Sequence, residues 1–205
     1  MVFRERFSTA VKLSPNIGSI ALSFNGGKDC TALLVHLLAC IGGRSPLPLL
    51  YLHNDDQFEE EWEFSCALTS MIGADKVQLH RLECTDLKDG LSSFLQKYPN
   101  ISVLFLGVRL YPDRPDELKP IQMTDPGWPQ VLRVHPLLDW TYSEIWLFLR
   151  TLSIPYCTLY DQGYTSIGGK EKTKPNPALR CTREQGKYKP AYDLLDDSLE
   201  RAGRS

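Results

Sequence analysis

Ser23-Phe24-Asn25-Gly26-Gly27-Lys28-Asp29 brings together most of what a phosphate group needs from a protein. Two adjacent glycines let the backbone bend sharply and come close to a bound group. The first N–H groups of the helix that follows face the bend, and the helix dipole adds to them, so an anion is favoured there. Lys28 supplies a mobile positive charge, and Ser23 and Asn25 can hydrogen-bond phosphate oxygens. Asp29 at the helix start can cap the helix or hold Mg2+ through water. The loop is neither a Walker A sequence nor a G-x-G-x-x-G fingerprint, since both spacings are absent. The plain alternative is a strand-to-helix turn containing two glycines.

The flanking elements decide whether such a loop can work. Residues 17–24 form a short apolar run entering the loop, which predicts a strand, and residues 29–40 carry Leu33, Leu34, Leu37 and Leu38 at helical spacing. Strands are predicted again over 46–52, 76–82 and 103–106, with helices over 57–72 and 86–98 between them. Alternation of this kind predicts an α/β fold: a mostly parallel sheet with helices on both faces and right-handed crossovers. Ligands of such sheets bind beyond the carboxyl ends of the strands, which points to the loops after Phe24, Leu52 and Leu106. Arg109 follows Gly107 at one of these ends, where a guanidinium favours phosphate contact.

Beyond that point the character changes. Residues 108–129 are rich in Pro, Asp and Gly and too long for a plain connector. Thr141-Tyr142-Ser143-Glu144 is a capping box opening a helix that Pro155 stops. Residues 164–183 read as loop, and 191–201 as a last helix. Leu137, Leu138 and Trp146 read as core. The 205 residues suit one well-buried core, so a single domain over 1–205 is expected. The net charge of -2 implies no bulk attraction to nucleic acid or to an anionic membrane, and no apolar run reaches a membrane span. The six cysteines form no metal-ligand spacing with the four histidines, and a reducing cytoplasmic setting is expected for them. Cys30 reads as a small packing residue, and His53 and His135 as solvated or packed. The charged N-terminus reads as an amphipathic helix, a mitochondrial transit peptide being the alternative. Nothing in the pattern specifies an oligomeric state.

Five stretches then occur in a telling order: Ser23-Phe-Asn-Gly-Gly-Lys-Asp-Cys-Thr31, Thr124-Asp-Pro-Gly-Trp-Pro129, Pro136-Leu-Leu-Asp-Trp140, Gly163-Tyr-Thr-Ser-Ile-Gly168 and Asn176-Pro-Ala-Leu179. The first resembles the pyrophosphate loop of the N-type ATP pyrophosphatases, a superfamily that includes the PAPS reductases. Together the five resemble the eukaryotic FAD synthases, the FMN adenylyltransferases, from about Ser19 onward. The resemblance implies the adenine nucleotide alpha hydrolase-like, Rossmann-like version of the α/β fold with a loop-rich C-terminal extension. It implies a nucleotide-binding core over about 17–110 and flavin-site loops with C-terminal helices over about 108–205.

The implied reaction joins FMN to the adenylyl part of ATP, giving FAD and pyrophosphate with Mg2+. Ser23, Phe24, Asn25, Gly26, Gly27, Lys28, Asp29, Gly107 and Gly168 would face ATP, with Asn25, Lys28, Asp29 and Arg109 serving the chemistry and Asp29 the metal. Arg109, Asp113, Asp125, Trp128, Tyr164, Arg201 and Arg204 would serve the flavin nucleotide. The family's G-x-R-x-x-D-P stretch reads Gly107-Val-Arg-Leu-Tyr-Pro-Asp113 here, so Pro112 stands at the aspartate position and Asp113 one place later. Two other readings share the loop. A PAPS reductase-like oxidoreductase would need a nucleophilic cysteine in a C-terminal E-C-G-[IL]-H stretch, which the Glu-Arg-Ala-Gly-Arg-Ser sequence lacks. A non-catalytic nucleotide or flavin binder would bind without turnover.

Overall fold

A computed structural model describes residues 2–14, 16–42, 45–110, 118–182, 184 and 186–205. Six strands are described: β1 (Ile20–Ser23), β2 (Leu47–His53), β3 (Val77–Glu83), β4 (Val103–Leu106), β5 (Ile121–Met123) and β6 (Leu132–Val134). They form one sheet in the order β3-β2-β1-β4-β6-β5. Every neighbouring pair is parallel except β5 with β6, which is antiparallel at the edge. Among the described residues, five α-helices accompany them: α1 (Val2–Leu13), α2 (Lys28–Ile41), α3 (Glu59–Ile72), α4 (Leu87–Lys97) and α5 (Tyr142–Thr151).

Side chains alternate across the strands, and each face is covered. Ile20, Leu22, Leu49, Val103 and Phe105 pack into one buried cluster with Phe7 of α1, Leu34 and Leu37 of α2, Leu68 of α3 and Ile145 and Leu149 of α5. Ala21, Leu50 and Leu104 point the other way, against Leu91 and Phe94 of α4. The predicted α/β sheet with helices on both faces is therefore what forms. The capping box is complete. Glu144 N–H donates to Thr141 Oγ1 at 3.1 Å, and Thr141 N–H donates to Glu144 Oε2 at 2.7 Å.

The Pro-rich region after β4, expected to be more than a plain connector, holds β5, which with β6 extends the sheet on that side. One sequence expectation needs correction. Residues 191–201 are not an α-helix but two single 3-10 turns, Ala191–Asp193 and Asp197–Leu199. Asp196 breaks the run, because its carboxylate accepts from both the N–H (3.0 Å) and the hydroxyl (2.6 Å) of Ser198. Pro112 and Asp113 lie outside the described residues.

Candidate active site

β1 and β4 are neighbours, yet the chain leaves β1 toward β2 on its other side. The crevice at the carboxyl ends of β1 and β4 is thus the switch point where α/β sheets bind ligands. The Asn25–Gly27 bend opens there and α2 starts on it, with Gly27 as the N-cap. Gly26 has φ +76, and a Cβ on it would sit 2.7 Å from the Glu61 carbonyl oxygen, so only glycine fits. Gly107 is required for a different reason: a Cβ there would meet the Cys30 backbone nitrogen at 2.8 Å. The end of β4 lies hard against the first turn of α2.

Inside the bend the assignments sort themselves. Asn25 is exposed and its Oδ1 accepts from Gly27 N–H at 3.0 Å, so its side chain holds the loop in shape. The Phe24 ring is buried, and its N–H bonds the Leu50 carbonyl at 2.9 Å, leaving only its backbone at the loop. Ser23 lines an apolar cavity on the other side of the strand. Cys30 behaves as expected of a packing residue, its thiol pushed up to about 12 by burial and by Asp29.

Lys28 is the main departure. It is not mobile: it is 2% exposed, with its ammonium 2.6 Å from Glu200 Oε1 and 3.1 Å from Asp29 Oδ2. Its ammonium also lies 5.2 Å from the centre of the Tyr142 ring. Arg109 is equally deep. Its Nε reaches Asp29 Oδ1 at 2.5 Å and its Nη2 reaches both Glu200 oxygens at 2.5 and 2.6 Å. Two cations and two carboxylates therefore share one buried cluster. Burial works against the Lys28 charge, but Asp29 and Glu200 outweigh it and hold its pKa well above the ordinary lysine value. Burial likewise opposes ionisation of Asp29, yet Lys28 and Arg109 keep its pKa below the usual carboxylate range.

Glu200 was not among the residues singled out from sequence, and neither were Tyr160 and Glu61. The Tyr160 hydroxyl accepts the Lys28 N–H at 2.8 Å and so occupies one donor of the α2 N-terminus. Glu61 is buried beside Gly26, where burial pushes its carboxyl up to about 8. The one available signal was for Glu200, which opens the Glu-Arg-Ala-Gly-Arg stretch carrying Arg201 and Arg204.

The second glycine loop closes on the same place. Arg204 forms a backbone bridge with Thr173, and its guanidinium crowds the position where Gly168 has no side chain. Arg201 is half-buried on the same turn. Tyr164 is half-buried, its ring 5.4 Å from that of Phe58. His53 and His135 both have partners, Gln57 Oε1 at 3.1 Å and the Lys119 carbonyl at 2.8 Å.

Asp125 and Trp128, also expected to serve the flavin, belong to a turn on the α4 face of the sheet. Residues 124–129 fold on themselves: Trp128 N–H donates to the Asp125 carbonyl at 3.1 Å, and Thr124 Oγ1 donates to the Pro129 carbonyl at 2.8 Å. This sets Trp128 on an apolar cavity of about 200 Å³, lined with Leu50, Leu52, Leu91, Leu104 and Ser23. Asp125 is exposed and ion-paired with Arg133 at 2.8 Å. A more polar groove of about 440 Å³ opens beyond β2 and β3, lined by His53, Asn54, Glu83 and Cys84.

These motifs can be set beside known proteins. Residues 19–175 match the phosphoadenosine phosphosulfate reductase domain. A probable FAD synthase of Schizosaccharomyces pombe is 38% identical over 91% of this chain and 71% of its own length. The chain belongs to the FAD synthase family. A probable FAD synthase of Caenorhabditis elegans is 41% identical over 91% of this chain, but the chain spans only 36% of that longer relative. Family membership extends to the backbone. The crystal structure of Candida glabrata FMN adenylyltransferase, in complex with FMN and the ATP analogue AMPCPP, superposes with a TM-score of 0.83 at 30% identity. That superposition covers 98% of this chain and 89% of the other. Among the described residues, no helix is long and apolar enough to cross a membrane.

Proposed function

We propose that this chain transfers the adenylyl group of ATP to FMN, releasing pyrophosphate and forming FAD. The observation that carries the reading is the convergence of the glycine bend, Asp29 and Arg109 at the sheet's switch point, in a chain that aligns with FAD synthases over nearly its whole length. The triphosphate would lie along the bend and the α2 N-terminus, which Gly26 and Gly107 shape by letting the bend pack on Glu61 and the end of β4 pack on Cys30. The polar groove beyond β2 and β3 would take the nucleoside, and the cavity under Trp128 the flavin ring.

The FMN phosphate would attack the α-phosphorus in line with the departing pyrophosphate. Such a displacement needs alignment and charge neutralisation, and no protein nucleophile. Arg109 is paired with Asp29 beside the bend, and Arg204 lies against Gly168 of the second glycine loop with Arg201 on the same turn. They are the groups to meet charge on the phosphates. Lys28, held in its cluster, would act by fixing Asp29.

Mg2+ fits this arrangement as a substrate-borne ion. Among the described residues, no group of three or more His, Cys, Asp or Glu could hold a metal by itself. Mg2+ characteristically takes one or two carboxylates and fills its shell with phosphate oxygens and water. Asp29 would be that carboxylate, and the ion would supply Lewis-acid neutralisation of the phosphates. The six free cysteines fit a reducing compartment such as the cytoplasm.

The test is direct. Purified chain with FMN, ATP and Mg2+ should yield FAD and pyrophosphate in equal amounts, and omission of Mg2+ should stop it. Binding of ATP and FMN with no FAD formed would leave a non-catalytic binder. Thiol-dependent sulfite release from an adenylyl sulfate would move the chain to the reductase chemistry.

A further inference from the structure

Glu200 is 2% exposed and sits between two cations that come from opposite ends of the nucleotide core, Lys28 at the start of α2 and Arg109 after β4. The chain around it is braced for this purpose. Thr165 Oγ1 donates to the Glu200 carbonyl at 2.6 Å. Asn176, fully buried, donates through Nδ2 to Thr165 Oγ1 at 2.8 Å and to the Leu199 carbonyl at 2.7 Å. Asn176 N–H in turn donates to the Gly163 carbonyl at 2.8 Å. The Gly163–Gly168 and Asn176–Leu179 motifs thus form a shelf beneath residues 199 and 200, a use that needs no contact with substrate.

We propose that Glu200 is a positioning residue: its buried carboxylate holds the Lys28 ammonium and the Arg109 guanidinium in one arrangement and fixes to them the turn that bears Arg201 and Arg204. The inference rests on the adenylyl-transfer reading of the same site. Its physical basis is charge balance. With Glu200 the cluster carries two positive and two negative groups. Without its charge, Lys28 keeps only Asp29 as a carboxylate partner among the described residues, and the nearby Arg109 guanidinium repels it with less to offset the repulsion. Lys28 loses its nearer carboxylate, 2.6 Å against 3.1 Å, and has reason to swing toward solvent or phosphate. A nucleotide would still bind, because the site becomes more positive. It would bind with its cations misplaced, so the loss falls on turnover.

The full chain carrying Glu200→Gln or Glu200→Asp is compared with wild type in two assays. FAD formation gives kcat and the KM for ATP. Labelling with an amine-reactive ester, read at Lys28 by peptide mass spectrometry without substrates, reports whether the ammonium is still held. For Glu200→Gln, kcat is expected to fall on the order of 100-fold while KM for ATP rises by less than about three-fold, and Lys28 labels at least about ten-fold faster. Glu200→Asp, which keeps the charge, should recover most of the labelling protection and part of kcat. Should the glutamine variant not fold, the aspartate variant decides: lowered kcat with KM kept and intermediate labelling supports the role. A glutamine variant, or failing that an aspartate variant, with wild-type kcat or wild-type Lys28 labelling overturns it. If wild type forms no FAD, the adenylyl-transfer reading falls, while the labelling comparison still judges Glu200.

Discussion

Replacing Glu61 with Gln should stabilise the protein, by an amount that grows with pH. Glu61 lies on the first turn of α3, 3% exposed, with its main-chain oxygen against Gly26. Burial raises its pKa most, and the Phe58 N–H and Arg204 only partly offset it, so the carboxyl titrates at about 8 rather than 4.5. An acid whose native pKa lies above its unfolded one binds its proton more tightly when folded. Its stabilising contribution is complete below pH 4.5 and drains away as the pH rises to 8. At 1.36 kcal/mol per unit, the wild type loses about 2.5 kcal/mol between pH 5 and 7 from this group, and about 3.5 kcal/mol by pH 8. Glutamine has the same shape and does not titrate. The variant's advantage over wild type should therefore widen by those amounts, or by about 5–10 °C in Tm between pH 5 and 7. His36, His80 and His135, whose pKa values burial lowers, lose stability in the opposite direction as pH falls. They are common to both proteins and cancel in the difference. Denaturant unfolding of both at pH 5, 6, 7 and 8 is the assay. A difference that stays flat across the series would show that Glu61 is ionised, and the reasoning about a neutral carboxyl under the glycine bend would be wrong.

Asp29→Asn should cost on the order of 3–5 kcal/mol in stability, since it breaks a buried pair on two cations, and should abolish Mg2+-dependent turnover. Urea melts and FAD assays at increasing Mg2+ check both halves, and near-normal kcat would remove Asp29 from the chemistry. Gly107→Ala should cost about 1–3 kcal/mol by driving a methyl into the Cys30 backbone, and should weaken ATP binding as the α2 N-terminus shifts. Calorimetry with ATP then tests the shift, and unchanged affinity would mean that the helix start does not touch the phosphates. Trp128→Ala should raise KM for FMN while leaving KM for ATP alone, because it opens only the apolar cavity. Equal effects on both substrates would place the flavin elsewhere.

Much of the nucleotide core was legible because its signals are local. A strand run, two glycines and an amphipathic helix lie within some twenty residues, and the strand–helix alternation repeats at full length through β4. The edge of the sheet was not legible. β5 and β6 are three residues each, too short to show a period, and β6 is a strand because β4 and β5 lie on either side of it, as Leu132 pairs with both Val103 and Met123. The last segment misled because Ala191, Leu194, Leu195 and Leu199 suggest a helical stripe, while Leu195 is in fact 98% exposed. Glu200 was hidden for a related reason. An acidic residue next to arginines in a charged tail looks solvated until the fold brings it to Lys28.

That pairing also carries a message about biogenesis. Lys28 and Glu200 are 172 residues apart, so the cluster is among the longest-range contacts in the chain. A ribosome makes α2, β1 and β4 early, and these can collapse while synthesis continues. Arg109 and Lys28 then lie beside Asp29 without the Glu200 carboxylate that bonds both of them in the finished fold. On the proposed reading of the site, its charged cluster is complete only after residue 200 has been made and has docked, so collapse of the sheet and assembly of the cluster are separate events.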